Sequence, residues 1–129
     1  MKILFKSIVL FLAITLSACQ SSGQNEQNST LKVIDKVEFQ QKMNDLEGYQ
    51  LIDVRTKREF ESGTIAGSKN MDLLDGTFEK ELNSLDKEKP VLVFCAKGGR
   101  SNTAANILVE NGFNVVYDLK GGYTSWSQK

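Results

Sequence analysis

Short apolar runs and amphipathic segments alternate along the chain from Leu31 onward. The runs with strand character lie at 31–34, 51–54, 91–94 and 115–117. Between them, apolar residues recur at the spacing of one helical face, as at Phe39, Met43 and Leu46. A weaker strand at 68–71 and a closing helix at 123–128 complete the pattern. Strands that alternate with helices predict an α/β fold, an open and mostly parallel sheet with helices on both faces.

The apolar run Val91–Phe94 predicts a central strand. A continuous run rich in valine and other β-forming residues is typical of a strand buried on both faces of a parallel sheet. Pro90 precedes the run, at a strand start where a missing amide is tolerated. A helix is expected to follow from about Arg100, and Asn111-Gly112 predicts where that helix ends.

Polar residues predict where three further helices begin. Asp35 and Thr56 are each followed by a glutamate three positions later, which is the spacing of a capping box. Thr77 is expected to cap the third of these helices. The apolar stripe of that helix would be Phe78, Leu82 and Leu85.

The first residues indicate an export signal rather than a part of the fold. Lys2 and Lys6 precede an apolar stretch at 8–16, which is too short to span a bilayer as a typical helix. The stretch ends in Leu-Ser-Ala-Cys, which resembles the bacterial lipobox, whose cysteine is lipidated and becomes the mature N-terminus. We therefore expect Cys19 to carry a lipid. The alternative is an ordinary signal cleaved after Ala18, which would leave Cys19 as a free thiol.

The chain of 129 residues is long enough for one domain, which is predicted to begin at residue 31. Residues 1–18 form the predicted signal peptide. Residues 19–30 combine Cys19 with a polar, flexible tether that has no aromatic residue. This organisation predicts a protein of the bacterial cell envelope, held to a membrane through its N-terminal lipid, with the domain 31–129 outside the cytoplasm.

Composition excludes several classes of site and partner. The chain has 16 basic and 16 acidic residues, so its bulk charge does not indicate a nucleic acid partner. It has no histidine, which excludes a Ser-His-Asp triad, a Cys-His dyad and a histidine-ligated metal. Its two cysteines, Cys19 and Cys95, are too few for a thiolate zinc site, and we expect no metal and no cofactor. With Cys19 lipidated, Cys95 would have no disulfide partner.

Cys95 stands where the predicted central strand ends. The residues that follow it are Ala96, Lys97, Gly98, Gly99, Arg100 and Ser101; residues 95–101 are called the cysteine loop below. Ligands of open parallel sheets bind at the carboxyl ends of strands. The amides and the dipole at a helix N-terminus can bind an anion there. Because two glycines let the backbone fold inward, the loop amides are expected to converge on the sulfur of Cys95.

Without histidine, the thiol of Cys95 has to be activated electrostatically. A helix N-terminus and nearby cations can lower a cysteine pKa from about 8.5 to roughly 3.5–7.5. Lys97 and Arg100 supply cations that can also attract an anionic substrate. The alternative is a buried, inert cysteine that closes a strand. The glycines, the arginine and the serine beside Cys95 favour a reactive thiolate instead.

Three motifs resemble the rhodanese family of sulfurtransferases in its single-domain form, and the resemblance covers residues 31–129. The cysteine loop resembles the family's six-residue active-site loop and the serine that follows it. The upstream motif comprises residues 51–55 followed by Glu59, Phe60, Gly63, Ile65 and Gly67, and the downstream one comprises residues 116–123 with Trp126. Thr64 and Ala66 depart from the family, which usually has histidine and proline there. We expect altered loop packing at these positions rather than lost chemistry.

The resemblance implies a sulfurtransferase. The Cys95 thiolate would attack the sulfane sulfur of a small anionic donor such as thiosulfate, sulfite would leave, and Cys95 would carry a persulfide. A thiol or cyanide would then accept the sulfur, so ping-pong kinetics are expected. Residues 96–101 would bind the substrate, with loop amides around the persulfide and with Arg100 and Lys97 at the sulfite or thiosulfate. A charged network that fixes the loop is expected from Asp53, Arg55 and Glu59.

Three other functions compete with this interpretation. A phosphatase of the related cell-cycle dual-specificity type would have five residues between its cysteine and its arginine, whereas four separate Cys95 from Arg100 here. A rhodanese-like module that only binds a partner or carries sulfur would not need turnover. Thiol–disulfide exchange lacks a neighbouring resolving cysteine.

Overall fold

The computed structural model describes residues 28–129. The predicted signal peptide, the expected lipidation site Cys19 and most of the polar tether lie outside the described residues. Within residues 28–129, no helix has both the length and the apolar character needed to cross a membrane.

The structure has five strands, which are β1 Thr30–Ile34, β2 Gln50–Asp53, β3 Lys69–Asn70, β4 Val91–Phe94 and β5 Val115–Leu119. All five run parallel and form one open sheet in the order β1-β5-β4-β2-β3. The helices are α1 Lys36–Asp45, α2 Lys57–Glu61, α3 Thr77–Glu81, α4 Gly99–Glu110 and α5 Gly122–Ser127, and a short 3-10 turn, Leu82–Ser84, follows α3. The predicted fold class is confirmed.

The central strand β4 separates two hydrophobic cores. Val91, Val93 and Cys95 face one core, while Leu92 and Phe94 face the other. All five side chains are at most 1% exposed, as expected for a strand covered on both faces. Side chains of α3 and α4 fill the first core with Phe78, Ala104, Ala105 and Leu108. The second core receives α1 and α5 through Phe39 and Trp126.

Side-chain caps explain the starts of α1 and α2. Asp35 Oδ1 accepts the amide of Glu38 at 2.9 Å. Thr56 and Glu59 form a complete capping box, in which the Glu59 amide donates to Thr56 Oγ1 at 3.3 Å and the Thr56 amide donates to Glu59 Oε2 at 2.9 Å. Both helices therefore begin where the three-residue spacing between cap residue and glutamate predicts.

The prediction that Thr77 caps the third helix is wrong. Thr77 is the first residue of α3, and Gly76 precedes it in a left-handed conformation, with φ +83°. The amide of Thr77 donates to Asp75 Oδ1 at 2.8 Å. The chain enters α3 through a backbone conformation that strains a β-branched side chain, so a glycine occupies the cap position.

The last strand runs two residues further than predicted. Asp118 lies level with Val33 of β1 and Val93 of β4, and β5 ends at Leu119. Aspartate is depleted from strands because it does not suit a pleated, half-buried surface. Pairing with a strand on either side outweighs that tendency here and draws Asp118 into the protein interior.

Candidate active site

The cysteine loop turns directly from β4 into α4, and its backbone contacts the sulfur of Cys95. The amide of Gly98 donates to Cys95 Sγ at 3.0 Å. Gly98 adopts φ +113°, a conformation that is strained for residues with a side chain. A hydrogen bond to the charged form of an acid favours that form. The turn therefore places a donor where a thiolate needs one.

A second helix holds the loop from behind. At the start of α5, the amide of Tyr123 donates to the carbonyl of Cys95 at 2.7 Å, and the amide of Thr124 donates to the carbonyl of Ala96 at 3.0 Å. Gly122 lies against the same carbonyls, with φ +58°. A Cβ atom at Gly122 would stand 2.6 Å from the carbonyl carbon and oxygen of Ala96, and it would meet the Cys95 carbonyl as well. The start of α5 thus fixes the backbone beneath the sulfur.

Arg100, at the end of the cysteine loop, is paired with Glu59. Its Nη1 lies 2.8 Å from Glu59 Oε2, and its Nη2 lies 2.9 Å from Glu59 Oε1. Hydrogen bonds from Arg100, and lesser ones from Thr56, lower the pKa of Glu59 to about 2. Glu59 in turn raises the pKa of Arg100, with smaller contributions from Cys95 and Asp72. The guanidinium is therefore held near the cysteine by a carboxylate of opposite charge.

Asp53 and Arg55 form a separate, buried pair. Arg55 Nη2 lies 2.7 Å from Asp53 Oδ2, and both residues are at most 4% exposed. Arg55 Nη2 also donates to the carbonyl of Gly63 at 2.7 Å, and its guanidinium lies 4.4 Å from the ring centroid of Tyr123. Thr64, at a position where the family usually has histidine, donates to Asp53 Oδ2 at 2.8 Å. The pair ties the end of β2 to α5.

The expected charged network is therefore two ion pairs with different neighbours. Glu59 contacts the cysteine loop directly through Arg100, whereas Asp53 and Arg55 act on it through Tyr123 of α5. The structure brings all three residues to the carboxyl edge of the sheet. It places them around the loop rather than against the sulfur.

The other loop residues occupy distinct positions around Cys95. Lys97 is exposed, so its cation is available to a ligand that approaches from solvent. Ser101 is buried in the first turns of α4, where its hydroxyl donates to the Gly98 carbonyl at 3.2 Å. Several loop amides were expected to converge on the sulfur, but among the described residues only the amide of Gly98 forms a hydrogen bond to Cys95 Sγ.

Sequence reasoning assigned no role to Asp118, which lies close to the cysteine loop. Burial raises the pKa of Asp118 to about 6, and the polar groups of Ser101 and Asn102 beside it offset part of that rise. The sequence does carry a signal, because an acidic residue between the apolar residues Tyr117 and Leu119 is unusual for a strand. Gly122 belongs to the downstream family motif, but the motif does not predict its contact with the cysteine loop.

Loss of the Glu59 charge is expected to weaken the fold by about 1 kcal/mol at neutral pH. Because the pKa of Glu59 is lowered from 4.5 to about 2, its ion pair stabilises the fold above pH 4.5 and loses that effect as pH falls towards 2. The two side chains are 24% and 35% exposed, so solvent screening reduces the gain to about 1 kcal/mol. Urea unfolding of the wild type and of Glu59→Gln at pH 7 and at pH 2.5 measures the difference.

Glu61→Gln is the matched control, since Glu61 belongs to the same helix and forms an exposed pair with Lys57 at 3.8 Å. We expect this substitution to change the unfolding free energy by a few tenths of a kcal/mol at most. Equal effects of the two substitutions at pH 7, or a Glu59→Gln effect that does not shrink at pH 2.5, would contradict the role given to the Arg100 pair.

The arrangement suits nucleophilic chemistry on a small anion. Such chemistry would use Cys95 as its nucleophile, with the Gly98 amide to support negative charge on the sulfur and with Arg100 and Lys97 as nearby cations. Within residues 28–129, no group of three cysteine or acidic residues is placed to hold a metal ion. An electrophilic sulfur or phosphorus atom of an anionic substrate fits these groups.

A family model and a solved structure both point to the rhodanese-like domain. The model of the rhodanese-like domain family matches residues 35–129. An uncharacterized Bacillus subtilis protein is 37% identical over 106 residues, which span 80% of this chain and 78% of that protein. The crystal structure of a rhodanese-like domain protein from Staphylococcus aureus is 30% identical, with a TM-score of 0.67, and the match covers 76% of this chain and 93% of that one.

A third match carries a different description. A Rhodopseudomonas palustris structure, described as a protein of unknown function and possible tyrosine phosphatase, is 26% identical, with a TM-score of 0.62. The match covers 78% of this chain and 83% of that one. The family model accounts for most of the chain, including the cysteine loop and both flanking motifs. This chain belongs to the rhodanese-like domain family.

Proposed function

We propose that this chain is a sulfurtransferase that carries sulfur as a persulfide on Cys95. One observation carries the proposal: the amide of Gly98 donates to Cys95 Sγ at 3.0 Å, at the carboxyl end of the central strand. That donor lies where the negative charge of a thiolate has to be held, directly beside the atom to which a persulfide sulfur would be bonded. Family membership and the cations of Lys97 and Arg100 support the same chemistry.

The first half-reaction transfers sulfur from thiosulfate or a related donor to the protein. The Cys95 thiolate attacks the outer sulfur of thiosulfate and forms a new sulfur–sulfur bond. The sulfur–sulfur bond of thiosulfate breaks, and sulfite leaves with the electron pair. Arg100 and Lys97 would attract the donor and steady the departing sulfite.

The second half-reaction returns the protein to its starting state. Cyanide, or the thiolate of a thiol acceptor, attacks the outer sulfur of the persulfide and forms thiocyanate or a new persulfide. The electron pair of the broken bond returns to Cys95, and the Gly98 amide again supports the thiolate. Atoms and electrons balance with one donor and one acceptor.

A phosphatase is the second candidate, because one structural neighbour carries that description. Four residues separate Cys95 from Arg100, and a loop of this length forms a smaller turn than the five-residue spacing of the related phosphatases. A smaller turn suits one sulfur atom better than a phosphoryl group. Purified wild-type chain should therefore release thiocyanate from thiosulfate and cyanide faster than it releases phosphate from p-nitrophenyl phosphate.

Three outcomes of this comparison are distinguishable. Thiocyanate release above the uncatalysed rate, with little phosphate release, supports the sulfurtransferase. Phosphate release that matches or exceeds thiocyanate release overturns the choice in favour of a phosphatase. If a correctly folded chain catalyses neither reaction, the result favours a rhodanese-like module that binds a partner or carries sulfur but has no turnover.

We also propose that the chain is anchored to a membrane through a lipid on Cys19, with its domain outside the cytoplasm. The motif at 16–19 and the polar tether up to residue 30 support this proposal. Wild-type protein expressed in a bacterium should partition into detergent, and Cys19→Ala should move it to the aqueous phase. Cys95→Ser is the matched cysteine control and should stay with the detergent. Wild-type protein without a lipid, free in solution outside the cytoplasm, would contradict the anchor.

A further inference from the structure

Asp118 is a buried acid for which the proposed reaction has no use. The residue is 1% exposed, and its Oδ1 atom has no hydrogen-bond partner among the described residues. Aspartate is rarely buried to this extent unless it is paired. An unpaired buried carboxyl destabilises the fold when it ionises, so its position calls for a physical explanation.

Register places the Asp118 side chain on the same face of the sheet as Cys95. Asp118 lies level with Val93 of β4, and neighbouring residues in a parallel pair point to the same face. Val93 and Cys95 belong to the core that α4 covers. The carboxyl therefore lies under α4, one strand away from the nucleophile.

The contacts of Asp118 lead back to the sulfur. Ser101 and Asn102, in the first turns of α4, lie beside its carboxyl. Ser101 Oγ donates to the Gly98 carbonyl at 3.2 Å, and the Gly98 amide donates to Cys95 Sγ at 3.0 Å. The carboxyl and the sulfur thus share one helix N-terminus, whose positive potential extends over about one turn.

We propose that Asp118 is a positioning residue that sets how readily Cys95 forms its thiolate. When Asp118 is neutral, the positive end of α4 stabilises negative charge on the Cys95 sulfur without competition. An ionised Asp118 competes for that potential and repels the thiolate, since two nearby like charges disfavour one another. The inference requires Cys95 to be a nucleophile, but it does not require sulfur transfer.

Other charged groups on the elements around Asp118 are directed elsewhere. On β1, Lys32 lies level with Tyr117, which faces the opposite core. On α4, the Arg100 guanidinium is paired with Glu59. Lys120, just beyond β5, is exposed. Cys95 is the titratable group on the neighbouring strand β4 that faces the same side of the sheet.

Ionisation of Asp118 falls within an accessible pH range. Burial raises the pKa of this carboxyl to about 6, so Asp118 is mostly neutral at pH 5 and mostly ionised at pH 7. Raising the pH should therefore have two opposing effects on Cys95. It removes the thiol proton, and it introduces a buried charge that opposes the thiolate.

The pH dependence of Cys95 alkylation by iodoacetamide tests the proposal. The full chain is used with Cys19→Ala, so that Cys95 is its one cysteine. In this background, Asp118→Asn should shift the midpoint of the alkylation profile to lower pH by roughly one unit, which corresponds to about 1.4 kcal/mol. Asp45→Asn, which removes an exposed carboxyl at the end of α1, is the matched control and should leave the midpoint unchanged.

The profile without substitution at Asp118 supplies a second, independent readout. It should depart from a single ionisation near pH 6, and the departure should disappear in Asp118→Asn. A profile that fits one ionisation overturns the proposal, even if Asp118→Asn does not fold. An equal midpoint for Asp118→Asn and Asp45→Asn overturns it as well. Alkylation needs no sulfur donor, so these outcomes are separate from the fate of the sulfurtransferase proposal.

Discussion

Cys95→Ser should reduce thiocyanate formation by at least about three orders of magnitude, to the uncatalysed rate. Serine is close to cysteine in shape, and its hydroxyl oxygen can accept the hydrogen bond that the Gly98 amide now donates to Cys95 Sγ. The hydroxyl is a far weaker acid than a thiol, and it cannot form a persulfide. Circular dichroism and the thermal midpoint should remain close to those of the wild type.

Cys19→Ala provides the control for this substitution, because it removes the other cysteine and leaves the cysteine loop intact. Its turnover in detergent solution should equal that of the wild type. Thiocyanate formation that survives in Cys95→Ser would show that sulfur travels by another route. Equal losses in both variants would indicate that Cys95 has no special part in turnover.

Gly122→Ala should have the largest effect among substitutions away from the sulfur. The new Cβ would stand 2.6 Å from the Ala96 carbonyl carbon and oxygen, at a residue with φ +58°. Backbone atoms cannot move aside as a flexible side chain can, so the cysteine loop or α5 must shift. We expect a loss of about 3 kcal/mol or more in unfolding free energy and at least a tenfold loss of turnover.

Gly67→Ala separates this clash from the cost of the backbone conformation. Gly67 also has a positive φ, +85°, but no atom lies within 4 Å of its Cβ position. Alanine there should cost only about 1–2 kcal/mol and leave the Cys95 alkylation rate unchanged. Urea unfolding and alkylation of both variants measure the two effects. A Gly122→Ala protein as stable and reactive as Gly67→Ala would contradict the proposed contact between α5 and the cysteine loop.

Local signals in the sequence predicted the parts of the fold that local interactions determine. The capping pairs at Asp35 and Thr56 mark the starts of α1 and α2 because the side chain and the amide it accepts lie three residues apart. The run Val91–Phe94 identifies the central strand because burial on both faces requires uninterrupted apolar residues. The cysteine loop was also predictable from local signals, because the end of the strand, the two glycines and the start of the helix follow one another along the chain.

Long-range contacts explain what the sequence did not reveal. Glu59 and Arg100 stand 41 residues apart, and no spacing rule joins an acid on one helix to a base on another. The approach of Gly122 to Ala96 arises because β5 lies beside β4 in the sheet. Asp118 is buried by strands on both sides, whereas its residue type alone favours a turn or a helix cap.

The intact mass of the chain after thiosulfate treatment tests the central claim most directly. Reduced wild-type protein, incubated with thiosulfate and freed of excess donor, should gain the mass of one sulfur atom. Peptide mapping should place that sulfur on Cys95, and cyanide should remove it as one equivalent of thiocyanate. A folded protein whose Cys95 stays unmodified under these conditions, with no thiocyanate formed, would contradict the proposed thiosulfate sulfurtransferase.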